Sequence, residues 1–233
     1  MSTSIERISE PDADALALHL AQDVAAVLRS AVAERGGATL VVSGGSTPLP
    51  MFQRLAQESD VPWSKVQVTL ADERAVPPDH ADSNEGFVHK NLLTGTAAVA
   101  SFVSMLPAGL PSLDRLDEVS GRIDAMGSPF DVVLLGMGGD GHTASLFPDA
   151  PELEDAMAST TSVVALNPPS VSQARLSLSA SRLIDTRHLW LHISGASKAQ
   201  VLETALADGT LPIARVLKHA ASGSAHRAIY LTS

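Results

Sequence analysis

The chain has 233 residues, a formal net charge of −10, 45% hydrophobic and 18% charged residues, and no cysteine. The length holds one large α/β domain or two small ones, and the composition is that of an ordinary soluble globular protein. The acidic balance gives nucleic-acid binding no global electrostatic support. The missing cysteine excludes a disulfide scaffold, thiol catalysis and thiolate metal sites, and fits a cytoplasmic address.

In chain order, the N-terminal stretch MSTSIERISEPDADALALHL lacks a basic start followed by an apolar core, so no signal peptide is expected. Leu16, Leu20, Val24, Val27, Leu28 and Ala31 recur at helical spacing, and Gly36-Gly37 ends that first helix. Thr39 to Val42 is a short β-rich run. Ser43-Gly44-Gly45-Ser46-Thr47-Pro48 follows, with Pro48 suited to the first helical position and Thr47 to the N-cap. Met51, Phe52 and Leu55 make one face of the next helix.

Lys65 to Leu70 alternates as a strand and closes on Ala71-Asp72-Glu73-Arg74. Residues 83 to 93 predict a helix capped by Ser83, and residues 113 to 126 another. Residues 131 to 136 predict a buried strand. Further strands are expected over 162–166, 175–180, 188–194 and 226–231, and helices over Ala196–Ala207 and Pro212–Ala220. The proline-rich spots Pro77-Pro78, Pro107 to Pro111 and Pro168-Pro169 look like loops. No apolar run approaches the ~18 residues of a membrane span. Strands alternating with helices predict a mostly parallel sheet covered on both faces, and one domain over residues 1–233. In such sheets ligands bind beyond the C-terminal strand ends. That directs attention to four loops: 43–48, 71–78, 136–148 and 194–198.

The third loop, Gly136-Met137-Gly138-Gly139-Asp140-Gly141, has the G-x-G-x-x-G spacing of a dinucleotide-binding turn. Such a turn opens a full helix and needs an acid ~20 residues on at a second strand end. Here Pro148 arrives too soon, and Ala158 to Thr161 carries no acid. The glycines then serve a tight backbone turn, and His142 emerges two residues after Asp140. It is either a catalytic base or a loop histidine with a structural hydrogen bond.

Gly44, Gly45, Ser46 and Thr47 offer backbone N–H groups and hydroxyls for an anion nest, the alternative being a plain tight turn. No lysine completes a nucleotide phosphate loop. Asp72-Glu73-Arg74 is either a solvated cluster or an anion site in which Arg74 binds substrate while Asp72 or Glu73 holds it. Arg175 and Lys198 face the same choice. Gathered at one mouth, three cations would offset the chain's charge for an anionic ligand. No H-E-x-x-H pair is present, and His188 and His192 are expected to pack rather than bind metal. Gly44-Gly45-Ser46 is not a serine-hydrolase elbow.

Together these stretches resemble the lactonase branch of the glucosamine-6-phosphate isomerase/6-phosphogluconolactonase family. The matching segments run in family order: Ser43 to Pro48, Asp72-Glu73-Arg74-x-Val76-Pro77, Ser83-Asn84, Gly136 to Pro148, Arg175-Leu-Ser-Leu-Ser and Gly195-x-x-Lys198-Ala199. The deaminating isomerase branch differs in two places. It carries an aromatic where this chain has Arg74, and it runs toward Phe-Asn-Glu-Pro after its histidine, where this chain has Leu146-Phe147-Pro148-Asp149. Within the lactonase branch, Asn167 stands where many members have lysine, and the Arg175 strand has serines where threonines are common.

The resemblance implies a modified Rossmann-like α/β fold. It also implies hydrolysis of 6-phospho-D-glucono-1,5-lactone in the oxidative pentose phosphate pathway. His142 would be the general base, with Asp140 and Asp72 orienting the site. Gly44, Gly45, Ser46, Thr47 and Lys198 would hold phosphate, and Arg74 and Arg175 would hold phosphate or sugar oxygens. No cofactor, metal, nucleic acid or membrane partner is implied. The competing readings are glucosamine-6-phosphate deamination and a catalytically silent sugar-phosphate sensor.

Overall fold

The strand–helix alternation becomes a seven-stranded sheet in the computed structural model, which describes residues 4–106, 115–220 and 225–232. The strands are β1 (Glu6–Glu10), β2 (Ala38–Val42), β3 (Val66–Leu70), β5 (Ser101–Phe102), β6 (Phe130–Leu135), β9 (Thr186–Ile193) and β10 (His226–Thr232). Their order is β1-β10-β9-β6-β2-β3-β5, and every pairing is parallel. β2 and β6 are buried at every position, as central strands covered on both faces must be.

The helices are α1 (Ala13–Arg35), α2 (Leu49–Leu55), α3 (Asn84–Asn91), α4 (Leu116–Asp124), α5 (Leu153–Ala158), α6 (Ala180–Ile184), α7 (Ala196–Asp208) and α8 (Pro212–His219). Leu16, Leu20, Val24 and Leu28 turn α1 onto the sheet, where it crosses β2, β6 and β10 and packs against α2. Its Asp23 accepts a 2.7 Å hydrogen bond from the Tyr230 hydroxyl on β10. α6 lies on β9 and meets α5 and α8, and α8 carries α7. The helix expected from residue 113 spans Leu116–Asp124; its expected start at 113 and 114, and the loop expected over Pro107 to Pro111, lie outside the described residues.

Several expectations need correction. By length and mean composition alone α1 could cross a bilayer, but polar residues interrupt its apolar run and eight of its residues are buried within the protein. Thr47 does not cap α2. The Leu49 N–H bonds to the Ser46 carbonyl at 3.4 Å, so Thr47 and Pro48 lie in a turn and Pro48 is the cap residue. Four elements escaped the pattern: β1, β5, α5 and α6. β1 is a largely polar edge strand, so it lacks the apolar alternation that marks interior strands.

The largest difference is a second sheet. Asp72-Glu73-Arg74 leaves the main sheet as β4 and pairs antiparallel with β8 (Arg175–Leu178), which pairs antiparallel with β7 (Val163–Leu166). Ala71 is the junction. Its N–H bonds to the Val42 carbonyl in the main sheet, and its own carbonyl accepts from the Leu178 N–H in the second. These hydrogen bonds couple elements distant in sequence, which a local pattern cannot reveal.

The chain runs outward from β2 to β3 and β5 in one direction, then from β6 to β9 and β10 in the other. The reversal falls between β2 and β6. A crevice at the carboxyl ends of such a pair is where ligands bind in open α/β sheets.

Candidate active site

The loops leaving β2 and β6 are tied together at that crevice. The Ser43 hydroxyl donates to the Leu134 carbonyl at 3.3 Å and accepts from the Gly136 N–H at 3.3 Å, while the Ser43 N–H bonds to Leu134 at 3.1 Å. Above them opens a cleft of about 340 Å³, within the usual size of small-molecule sites. Gly44, Gly45, Ser46 and Thr47 form one wall, with Gly45 at φ +103°, a conformation that a Cβ would strain.

The β6 loop presents His142 to the same cleft. Its Nδ1 lies 2.6 Å from Asp140 Oδ1, which also accepts from the His142 backbone N–H at 3.1 Å. The imidazole stacks on Phe147, centroids 4.0 Å apart and 23° from parallel. Gly138 passes so close beneath that a Cβ there would overlap the His142 ring and lie 2.7 Å from Asp140 Oδ1. No helix follows: the next is α5, beginning at Leu153. The glycine spacing therefore belongs to a histidine-bearing turn, not to a dinucleotide turn.

The second sheet supplies two of the three cations. Pairing of β4 with β8 sets Arg74 directly opposite Arg175. Like charges opposed in this way repel. Burial, then the neighbouring Arg74, push the Arg175 guanidinium downward from its ordinary pKa. Both Nε atoms are buried without a hydrogen-bond partner. The geometry suits an anionic ligand between them. Contrary to expectation, neither Asp72 nor Glu73 grips the Arg74 side chain, which donates instead to the Asp82 carbonyl.

Glu73 is fully buried and holds the start of α3. It accepts from the backbone N–H groups of Arg74 (2.7 Å), Asn84 (2.8 Å) and Glu85 (2.7 Å), and from the Ser83 hydroxyl at 3.0 Å. Burial pushes its carboxyl upward, and these bonds oppose the shift. Asp72 points the other way: Ser145 Oγ donates to it at 2.6 Å. Asn84 Nδ2 donates to the Asp72 carbonyl at 2.9 Å, and the Asn84 side chain packs against Gly44.

A sequence profile described as glucosamine-6-phosphate isomerases/6-phosphogluconolactonase matches residues 11–226. The chain belongs to this family. It is 44% identical over 227 residues to the 6-phosphogluconolactonase of Rhizobium meliloti strain 1021, covering 95% of this chain and 97% of the relative. It is 45% identical over 205 residues to that of Pseudomonas putida, covering 86% and 83%. A crystal structure of a 6-phosphogluconolactonase from Shewanella baltica OS155 superimposes with a TM-score of 0.93 at 38% identity, covering 99% of this chain and 98% of the other.

Of the residues that the family resemblance singled out, Gly44, Gly45, Ser46, Thr47, Asp72, Arg74, His142, Arg175 and Lys198 all line the cleft. Asp140 sits behind His142 rather than on the wall. Asn167, the family departure, is held away from the cleft by Glu152, to which its Nδ2 donates at 3.0 Å. Among the lining residues that had been given no role are Asn84, Phe147 and His192. His192 was expected to pack. Its signal was its place next to the last residue of β9, at the carboxyl end where ligands bind.

Proposed function

We propose that this protein hydrolyses 6-phospho-D-glucono-1,5-lactone to 6-phosphogluconate, the second step of the oxidative pentose phosphate route, with His142 as general base. The observation that carries the mechanism is the 2.6 Å contact between His142 Nδ1 and Asp140. A carboxylate there accepts a hydrogen bond from Nδ1–H and keeps the proton on that nitrogen, which leaves the Nε2 lone pair free to take a proton from water. The names carried by the close relatives support the substrate.

A lactone is an activated ester, so a positioned water and a base suffice. Water oxygen bonds to C1 as its proton passes to His142 Nε2. The C1–ring oxygen bond then breaks, and the ring oxygen takes that proton from the imidazolium. The balance is one water added and the histidine restored. Arg74 or loop N–H groups stabilise the developing oxyanion. Gly44, Gly45, Ser46, Thr47 and Lys198 hold phosphate, Arg175 holds phosphate or a sugar oxygen, and Asp72 orients the wall through Ser145 and Asn84.

The same reading makes residues 1–233 one domain, supported by a buried apolar cluster that runs through the elements of the main sheet and its helices. It places the enzyme in the cytoplasm, acting on a small sugar phosphate rather than on nucleic acid or membrane. A paired assay tests it: lactone consumption beside ammonia release from glucosamine 6-phosphate. Consumption without ammonia is expected. Ammonia release would assign the deaminase activity instead, and ligand binding with neither reaction would assign a sensor.

A further inference from the structure

One ring in the cleft has no part in the chemistry above. His192, near the carboxyl end of β9, is 5% exposed and lines the cleft. Its Nδ1 is sealed off with no hydrogen-bond partner. Nε2 is the ring nitrogen left open to the cleft. A buried N–H with no acceptor is rarer in proteins than an under-used lone pair. The proton of the neutral ring therefore belongs on Nε2, as a donor directed at whatever fills the cleft. Burial, and then the charge of Lys198, push this imidazole down to about 4, so it stays neutral at physiological pH.

Lys198 rises beside it from the first turn of α7 and lines the same cleft. Neither side chain has a carboxylate partner among the described residues. Two neighbouring groups that can only donate call for a ligand group rich in acceptors. A phosphate, with three terminal oxygens, supplies several acceptors at one point.

We propose that His192 is a specificity-determining residue whose neutral Nε2–H donates to the phosphate of the substrate alongside Lys198. The assignment rests on the lactonase reading and deepens it. The ring adds a directional hydrogen bond without adding a second cation that Lys198 would repel. Recognition at that end then combines one charged and one neutral donor.

Binding of 6-phosphogluconate and of gluconate, measured by calorimetry on the full chain, separates the possibilities. His192→Phe is expected to weaken 6-phosphogluconate by roughly 10- to 100-fold, the usual loss for a hydrogen bond to a charged acceptor. Gluconate binding should change less than about twofold, a shift worth under ~0.5 kcal/mol. His192→Gln, which keeps an N–H donor, should recover most of the loss. Equal weakening of both ligands would move the contact to the sugar or carboxylate end and overturn the proposal, as would no weakening of either. Should the Phe variant not fold, ¹⁵N NMR of the wild-type histidine rings decides. The proposal requires an Nε2–H tautomer whose Nε2 signal moves with 6-phosphogluconate and not with gluconate. A proton on Nδ1, or an imidazolium at neutral pH, would contradict it. Failure of the wild-type protein to hydrolyse the lactone would count against the lactonase reading alone, since the binding comparison stands without turnover.

Discussion

Lys198 and His192 share one end of the cleft and make separable predictions. Lys198→Ala should raise KM for the phosphorylated lactone by roughly 10- to 100-fold, because a charge-assisted hydrogen bond contributes about 1.5–3 kcal/mol. Its effect on the slow rate with unphosphorylated gluconolactone should be far smaller; steady-state kinetics on both substrates make the comparison. His192 leaves a mark on stability. Its ring titrates near 6.5 when unfolded and about 4 when folded. The unfolded chain therefore takes up a proton first as pH falls. Stability present above pH 6.5 should be lost between about 6.5 and 4, by up to ~3 kcal/mol. His192→Gln removes this component, so denaturant melts at pH 7 and pH 4.5 should show a smaller difference for the variant. An identical difference would mean that His192 is not buried as a neutral ring. At this scale the sequence spoke unevenly. His142 stood out because glycines and Asp140 surround it. His192 did not, because its importance comes from facing Lys198 across space, and Asn84 stood only within a family segment, with no role until the fold set it against Gly44.

The β6 loop and the start of α3 carry the site at the scale of elements. Gly138→Ala forces a Cβ into the His142 ring and the Asp140 carboxylate. It should lower kcat by ~10-fold or more, since a displaced base loses its geometry, while circular dichroism stays native. Unchanged kcat would mean that the loop relaxes freely. Glu73→Gln replaces an acceptor of four hydrogen bonds with a group that can accept at only one atom. The loss should be ~2 kcal/mol, or roughly 4–8 °C in Tm, read from a thermal scan. The elements legible in the sequence were those with strong periodicity or caps, such as α1 with its buried stripe and α3 with Ser83. The antiparallel sheet was not legible, because Ala71 divides its hydrogen bonds between β2 and β8, and those partners lie about 30 and 110 residues away. The facing pair Arg74 and Arg175 follows from that sheet, so the sequence offered the two cations without their juxtaposition.

Across the whole molecule, the switch between β2 and β6 gathers four loops that are scattered from residue 43 to residue 198 into one cleft. Parallel strands predicted where those loops would converge, and the family match fixed the kind of chemistry expected there. On the proposed reading, attraction between this acidic chain and a phosphorylated substrate comes from the mouth alone, since charges beyond ~8–10 Å are screened at physiological salt. The proposed mechanism turns on His142, oriented by Asp140, taking the proton from water. The most direct measurement is kcat for 6-phosphogluconolactone hydrolysis by His142→Ala, corrected for spontaneous hydrolysis, with 6-phosphogluconate affinity measured on the same preparation. A fall of ~10²–10⁴-fold in kcat is expected, with product affinity changed by only a few-fold. Near-normal turnover by a folded variant would contradict it.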